Sequence, residues 1–209
     1  MTISYPLNTP TDIGIAQITL SANNKVAISE SPFTAKQQVV KHPAEFWTAS
    51  VTIPTVRKEL AEPWVSFLLS LGGRQGTFLL GDPNRVTPMG TASVGVGTPV
   101  VNGNQAAGNS IAIRGLPLNR TNFLVAGDYI QFGSGDTATL HKVLNTVTTS
   151  ATGTITVDIW PRTRRQLSDG EIVVLTNCKG KFRLSSNTTP WSINEASFYQ
   201  ISFDANEAI

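Results

Sequence analysis

The chain has two histidines, fourteen acidic side chains and one cysteine with which to move protons, hold a metal or attack a carbon. His42 and His141 lie far apart, and neither belongs to a His-x-x-x-His or His-Glu spacing that would set two ligands on one face of a helix. Asp128 and Asp136 could pair as general acid and base. Both fall among glycines, Gly127-Asp128 and Gly133 to Asp136, where Asp is favoured for hydrogen bonds to its own backbone, so turns are expected. Cys178 is alone, which excludes an intramolecular disulfide or a cysteine metal cluster and leaves a small structural residue. Gly95-Val96-Gly97 resembles a phosphate cradle, but no helical pattern follows it and no Lys-Ser/Thr adjoins it. The sequons at Asn119 and Asn187 lack a secretory context. No catalytic residue, metal set or cofactor site is therefore expected.

One charged cluster remains, Arg162, Arg164 and Arg165 in WPRTRRQ, beside Trp160. Trp and Arg are enriched at interface anchors, and a guanidinium fork suits carboxylates on a neighbouring subunit. The cluster reads as an interface, with a solvated turn as the alternative. A net charge of +2 gives no case for tight nucleic-acid binding, which needs clustered cations against phosphates.

Charged residues make up 14% of the chain, against roughly 25% in soluble proteins. Either other chains cover much of the surface, or Ser, Thr and Asn fill it in a β-rich protein. The 209 residues, 40% of them hydrophobic, suffice for one large all-β domain or two small ones. MTISYPLNTP has no basic n-region, and no run approaches 18 apolar residues, so synthesis in a cytoplasm without a membrane span is expected.

The elements that must position these residues are nearly all strands. The exception lies between Pro54 and Pro83, where Leu60, Trp64, Phe67, Leu68 and Leu71 fall on one stripe of a helix near residues 56–71. Gly72 and Gly73 stand where a left-handed C-terminal cap belongs, and Thr55 is an imperfect N-cap. Pro63 implies a helix that starts near it or is kinked there. Phe78 to Leu80 then reads as a buried strand ended by Gly81-Asp82-Pro83.

Before the helix, Ile13–Leu20 and Lys25–Ile28 read as a hairpin turned at Asn23-Asn24, followed by Gln37–Lys41 and Phe46–Ile53. After it comes a Gly-, Ala- and Ser-rich stretch, residues 87–109, either a flexible loop or the start of a separate module. Short strands follow at Ile111–Ile113, Tyr129–Phe132, Thr139–Leu144, Thr154–Trp160 and Ile172–Leu175, the spacing of a small barrel or sandwich. Lys181–Leu184 and the alternating Tyr199, Ile201 and Phe203 need a sheet to join, so the chain is expected to leave one domain near Pro83 and return near Gly180. Residues 1–83 and 180–209 would form one discontinuous β domain with residues 84–179 inserted in it.

The run WVSFLLSLGGRQGTFLLGDP, the central LVAGDYIQFGS and TVDIWPRTRRQLSDGEIVVL, and the ending GKFRLSSNTTPWSINEASFYQISFDANEA together resemble distal tail and baseplate-hub proteins of long-tailed, siphovirus-like bacteriophages, over about residue 40 to the end. The resemblance implies a mainly β fold: a tail-tube-like β-sandwich or open barrel flanked by one α-helix, carrying an inserted small β-barrel module. It implies a structural virion protein without catalytic residues or cofactors, assembled in the host cytoplasm. Its copies would form a homohexameric ring that joins the tail tube to other tail-tip and hub proteins, with genomic DNA passing through the lumen. The alternative is a carbohydrate-binding β-sandwich on a virion, with Trp160, Tyr129 or Trp191 as sugar platforms.

Overall fold

The computed structural model describes residues 3–209. The chain forms β1 (Leu7–Asn8), β2 (Gln17–Glu30), β3 (Gln37–Thr52), β4 (Val56–Arg57), α1 (Lys58–Ser70) and β5 (Phe78–Leu80). There follow β6 (Val100–Val101), β7 (Ser110–Arg114), β8 (Tyr129–Phe132), β9 (Thr139–Val143), β10 (Ile155–Trp160) and β11 (Val173–Val174). The last elements are β12 (Gly180–Leu184), β13 (Trp191–Ile193) and β14 (Phe198–Glu207). The described residues are mainly β with one α-helix, and the strands divide into two sheets.

The larger sheet has the order β1-β5-β12-β14-β3-β2, with β13 and β4 on either side of the beginning of β14. Only the β1–β5 pair is parallel. Tyr199, Ile201, Phe203 and Ala205 of β14 are buried at every second residue, as the period of a strand with one covered face requires. Helix α1 covers that face. Trp64 stands 6.1 Å from Phe203 and 5.7 Å from Phe67, and Phe78 lies 5.6 Å from Phe67 and 6.0 Å from Phe203, centroid to centroid.

The helix departs from its sequence reading in two places. It begins at Lys58 after an N-terminal Arg57 with no side-chain cap, so Thr55 does not cap it, and it carries Pro63 inside. Pro63 deprives only the carbonyl of exposed Glu59 of an intrahelical donor, one turn from the helix start. Leu60, assigned to the apolar stripe, is 46% exposed and does not belong to the core; Ala61 and Val65 join Trp64, Phe67, Leu68 and Leu71 in it. Gly72 and Gly73 both adopt positive φ, 58° and 67°, and end the helix as left-handed residues.

The second sheet, order β11-β8-β9-β10-β7-β6, draws every strand from residues between 100 and 174. A bridge between Val100 and Ile172 joins its two ends, so the sheet closes into a small barrel. Ile111, Ile113, Phe123, Ile130, Phe132, Val157 and Ile159 fill it at 0% exposure. The glycine-rich stretch is part of this barrel: Ala92 and Val101 are buried, and the Thr91 and Ala92 N–H groups donate to Asn122 and Phe123 carbonyls.

The greatest departure is near the N-terminus. Asn23-Asn24 does not reverse the chain; β2 continues past it with a shift of register between Asn24 and Val26, and β2 and β3 pair from Gln17–Thr52 out to Glu30–Gln37 as one long hairpin that turns over Ser31–Lys36. The two asparagines are satisfied by tertiary partners instead: Asn23 Nδ2 donates to Thr48 Oγ1 at 3.0 Å, and Asn24 Oδ1 accepts from Trp160 Nε1 at 2.9 Å. Local turn preference yields to these bonds and to the pairing of the whole strand.

Candidate interaction surface

The outer half of the hairpin leaves the sheet and carries apolar residues into solvent. Val26, Ile28 and Val39 share one face by the two-residue period and the Ile28–Val39 register, Val40 lies on the other face, and Phe33 at the tip is 94% exposed. Within β3 the change is abrupt: residues 37–44 are exposed, whereas Glu45, Trp47, Ala49 and Val51 are buried. Strand β2 also ends the sheet, so among the described residues its outer edge offers fourteen residues of backbone without a neighbouring strand. Exposed apolar strands with a free edge invite pairing with another chain.

The outer half, called the arm below, went unrecognised in the sequence because Asn23-Asn24 broke the hairpin into short pieces. The available signal was the apolar alternation of Val26-Ile28 and Val39, flanked by Lys25, Glu30, Lys36 and Lys41 with no helix or further strand to cover it.

The arginine cluster is drawn together by the loop after β10, at the seam between barrel and sheet. Arg164 grips the Glu207 carboxylate with both terminal nitrogens, each at 2.8 Å, and also donates to the Glu45 carbonyl. Glu207 accepts a third bond from the Trp47 N–H at 3.0 Å. Arg162 donates its backbone N–H to Glu45 Oε2 at 2.8 Å and its guanidinium to the Ala107 carbonyl at 3.0 Å. Arg165 pairs with Glu171, which holds that carboxyl below its usual range despite partial burial. Two of the three guanidiniums thus have carboxylates of their own chain, Arg164 with Glu207 from far along the sequence and Arg165 with nearby Glu171, while that of Arg162 is held by a backbone carbonyl.

Glu45 is the best-buried acid at this seam, 1% exposed, with Lys41 Nζ 2.6 Å from Oε1. Burial works against its ionisation, but Lys41, the Arg162 N–H and Asn109 outweigh it and lower the pKa. Trp160 packs edge-on against Trp47 at 4.6 Å, and Trp47 Nε1 donates to the Leu140 carbonyl at 3.0 Å.

The other polar candidates are dispersed. His141 is buried in the barrel wall, its Nδ1 2.6 Å from the Pro161 carbonyl and its Nε2 2.9 Å from Thr139 Oγ1. The carbonyl must accept, so Nδ1 carries the proton and Nε2 accepts from the threonine. Burial lowers the pKa of His141 to about 4. His42 is exposed on the hairpin. Asp128 is buried and accepts from the Met89 and Val125 N–H groups, while Asp136 is exposed and pairs with Lys181. The two aspartates do not form an acid–base pair, since each has other partners. Burial pushes the Cys178 thiol up to about 12, so it is un-ionised at neutral pH. Gly97 leads into β6, not a helix.

Of the aromatic platforms, Tyr129 is buried under Lys142, whose Nζ sits 4.0 Å from the ring centroid, and Trp160 is half-buried with its N–H given to Asn24. Trp191 alone of the three is exposed, on β13. Among the described residues no group of three or more His, Cys, Asp and Glu is placed to hold a metal, and no helix is long and apolar enough to cross a membrane. No protein-family model matches the chain, and no curated protein is detectably similar to it.

Proposed function

We propose that this is a structural protein of a bacteriophage tail tip, whose copies join head to tail into a closed ring, six in number by the resemblance of its sequence motifs to distal tail and baseplate-hub proteins. The ring would connect the tail tube to the other tail-tip proteins and leave a lumen for the genome. The observation that carries the reading is the solvent-exposed arm. Covering Val26, Ile28, Phe33, Val39 and Val40 in proportion to their exposed fractions contributes about 5 to 9 kcal/mol per arm, gross.

Association itself costs on the order of 4 to 15 kcal/mol, so one arm contact gives at best a weak dimer. A closed ring in which every subunit gives one arm and receives another gains an extra contact on closure, so it is favoured over an open chain. The free edge of β2 adds backbone hydrogen bonds to the same joint. A net charge of +2 suits a lumen that DNA traverses without being held.

The test is sedimentation and negative-stain imaging of the purified protein beside an Ile28→Lys, Phe33→Asp variant. The wild type is expected to form sixfold rings, and the variant to remain a folded monomer that melts where the wild type does when diluted below its assembly concentration, since both side chains lie in water in the single chain. A wild-type monomer at high concentration, or rings that survive the double change, would overturn the proposal.

A further inference from the structure

The arm does not continue the sheet smoothly. Asn24 pairs with Glu45 and Val26 with Lys41, so a single residue, Lys25, stands opposite three, His42, Pro43 and Ala44. Pro43 has no N–H to give to a ladder, and the mismatch divides the hairpin into a sheet-bound part and the arm. Such a break is where two paired strands bend. A depression of about 320 Å³, lined by Lys41, His42, Pro43 and Glu45 of the hairpin and Asn109 and Arg162 of the barrel, opens beside it.

The barrel loop of residues 160–165 holds the hairpin at this break from both strands. On β2 it takes Asn24 through Trp160 Nε1. On β3 it takes Glu45 twice, by the Arg162 N–H on the carboxylate and the Arg164 guanidinium on the carbonyl, and Asn109 Nδ2, just before β7, adds a third contact at 3.4 Å. The other oxygen of Glu45 faces Lys41, the last residue of the arm before the mismatch. One buried carboxylate therefore connects the arm, the sheet and the barrel. No other side chain in the described residues touches all three in this way at the break.

We infer that the 160–165 loop is a latch that fixes the direction of the arm, with the ladder break at Lys25 and His42–Ala44 as the hinge and Glu45 as the positioning residue. A barrel inserted in the sheet domain then has a task inside its own chain: it aims the element that reaches the next subunit. The latch rests on the ring reading for its consequence in assembly, and on the hinge geometry alone for its existence. Removing the Glu45 carboxylate releases Lys41 and the Arg162 N–H together and frees the arm to swing without unpairing either half of the hairpin.

The experiment is a spin-label distance between cysteines placed at Phe33 and Leu118, both exposed, in the full chain carrying Cys178→Ala, diluted with unlabelled protein so that only distances within one chain are read. The expected result is one narrow population for the parent. Glu45→Ala should lose that single population, Glu45→Gln should fall between parent and Glu45→Ala because its amide oxygen still accepts from the Arg162 N–H while its NH2 cannot accept from Lys41, and Asn24→Ala, an exposed change that does not threaten folding, should broaden it less. A distribution already broad in the parent, or equally narrow in Glu45→Ala and Asn24→Ala, overturns the latch. Sedimentation of the same variants without the label cysteines, so that Phe33 is intact, separates the two ideas. A monomeric parent whose narrow distance depends on Glu45 removes the ring and keeps the latch, and rings whose arm distance ignores Glu45 and Asn24 remove the latch alone.

Discussion

Replacing Trp64 by alanine tests whether α1 is fastened to the sheet as the packing indicates. Trp64 is 1% exposed and touches Phe67 and Phe203 across ring separations of 5.7 and 6.1 Å. Large aromatic truncations of this kind cost about 3 to 5 kcal/mol through lost transfer energy and the cavity left behind. One feature reduces the figure: Trp64 Nε1 is buried without a hydrogen-bond partner, and an orphaned donor costs about 1 to 3 kcal/mol that the truncation returns. The loss should therefore fall to about 2 kcal/mol. Trp64→Phe removes the same orphan while keeping a ring against Phe203, so it should stay within about 1 kcal/mol of the parent. Urea unfolding followed at 222 nm reads the transition that carries the helix, which matters because barrel and sheet have separate cores and need not unfold together. A loss below about 1 kcal/mol for Trp64→Ala would show that the helix face is not anchored there. A phenylalanine variant as unstable as the alanine one would show that the indole N–H has a partner after all.

Two further outcomes follow from the polar seam. Glu207→Ala leaves Arg164 and the Trp47 N–H without their acceptor, and breaking a buried pair from one side costs about 3 to 5 kcal/mol; adding Arg164→Ala should recover part of it in urea unfolding, whereas additive losses would mean the two groups are not coupled. His141 has a folded pKa lowered to about 4 from 6.5, so its contribution is complete above pH 6.5 and is lost as the unfolded chain takes a proton that the folded one refuses. Stability should fall by about 2 kcal/mol between pH 6.5 and 5, and His141→Gln should flatten that slope; an unchanged slope would place the proton elsewhere.

What the sequence reveals is what local periodicity encodes. Trp64, Phe67, Leu68 and Leu71 are legible because the spacing that puts them on one stripe is also what buries them, and Tyr199, Ile201 and Phe203 are legible for the same reason at period two. Leu60 shares the spacing but stands in the first turn, before the helix lies fully over the sheet, and the pattern alone cannot see where a helix makes contact. Closure of the barrel depends on a bridge between Val100 and Ile172, which no local pattern announces. The arginines are visible as a cluster, but Glu207 and Glu45 lie 43 and 119 residues from Arg164, and only the fold brings them to it. Asn23-Asn24 shows the reverse error, a strong local turn signal overruled by partners on Thr48 and Trp160.

The way the barrel is attached explains why so many polar side chains gather at one seam. Strands β5 and β12 are antiparallel neighbours with Leu80 opposite Gly180, so the barrel occupies the place of a hairpin turn and interrupts no pairing. Gly81 passes so close to its returning partner that a Cβ there would stand 2.1 Å from the Cys178 carbonyl oxygen, which admits no other residue without a shift. Two adjacent strands are a narrow tether, and a module hung from them alone could rotate. The opposing contacts fall farther across the sheet, at Glu207 on β14, Glu45 and Trp47 on β3, and Asn24 on β2. Attachment at both sides of the sheet removes that rotation. Only a barrel fixed in this way can set a direction for the arm, and the residues that fix it, Trp160, Arg162 and Arg164, are the ones that hold the hinge.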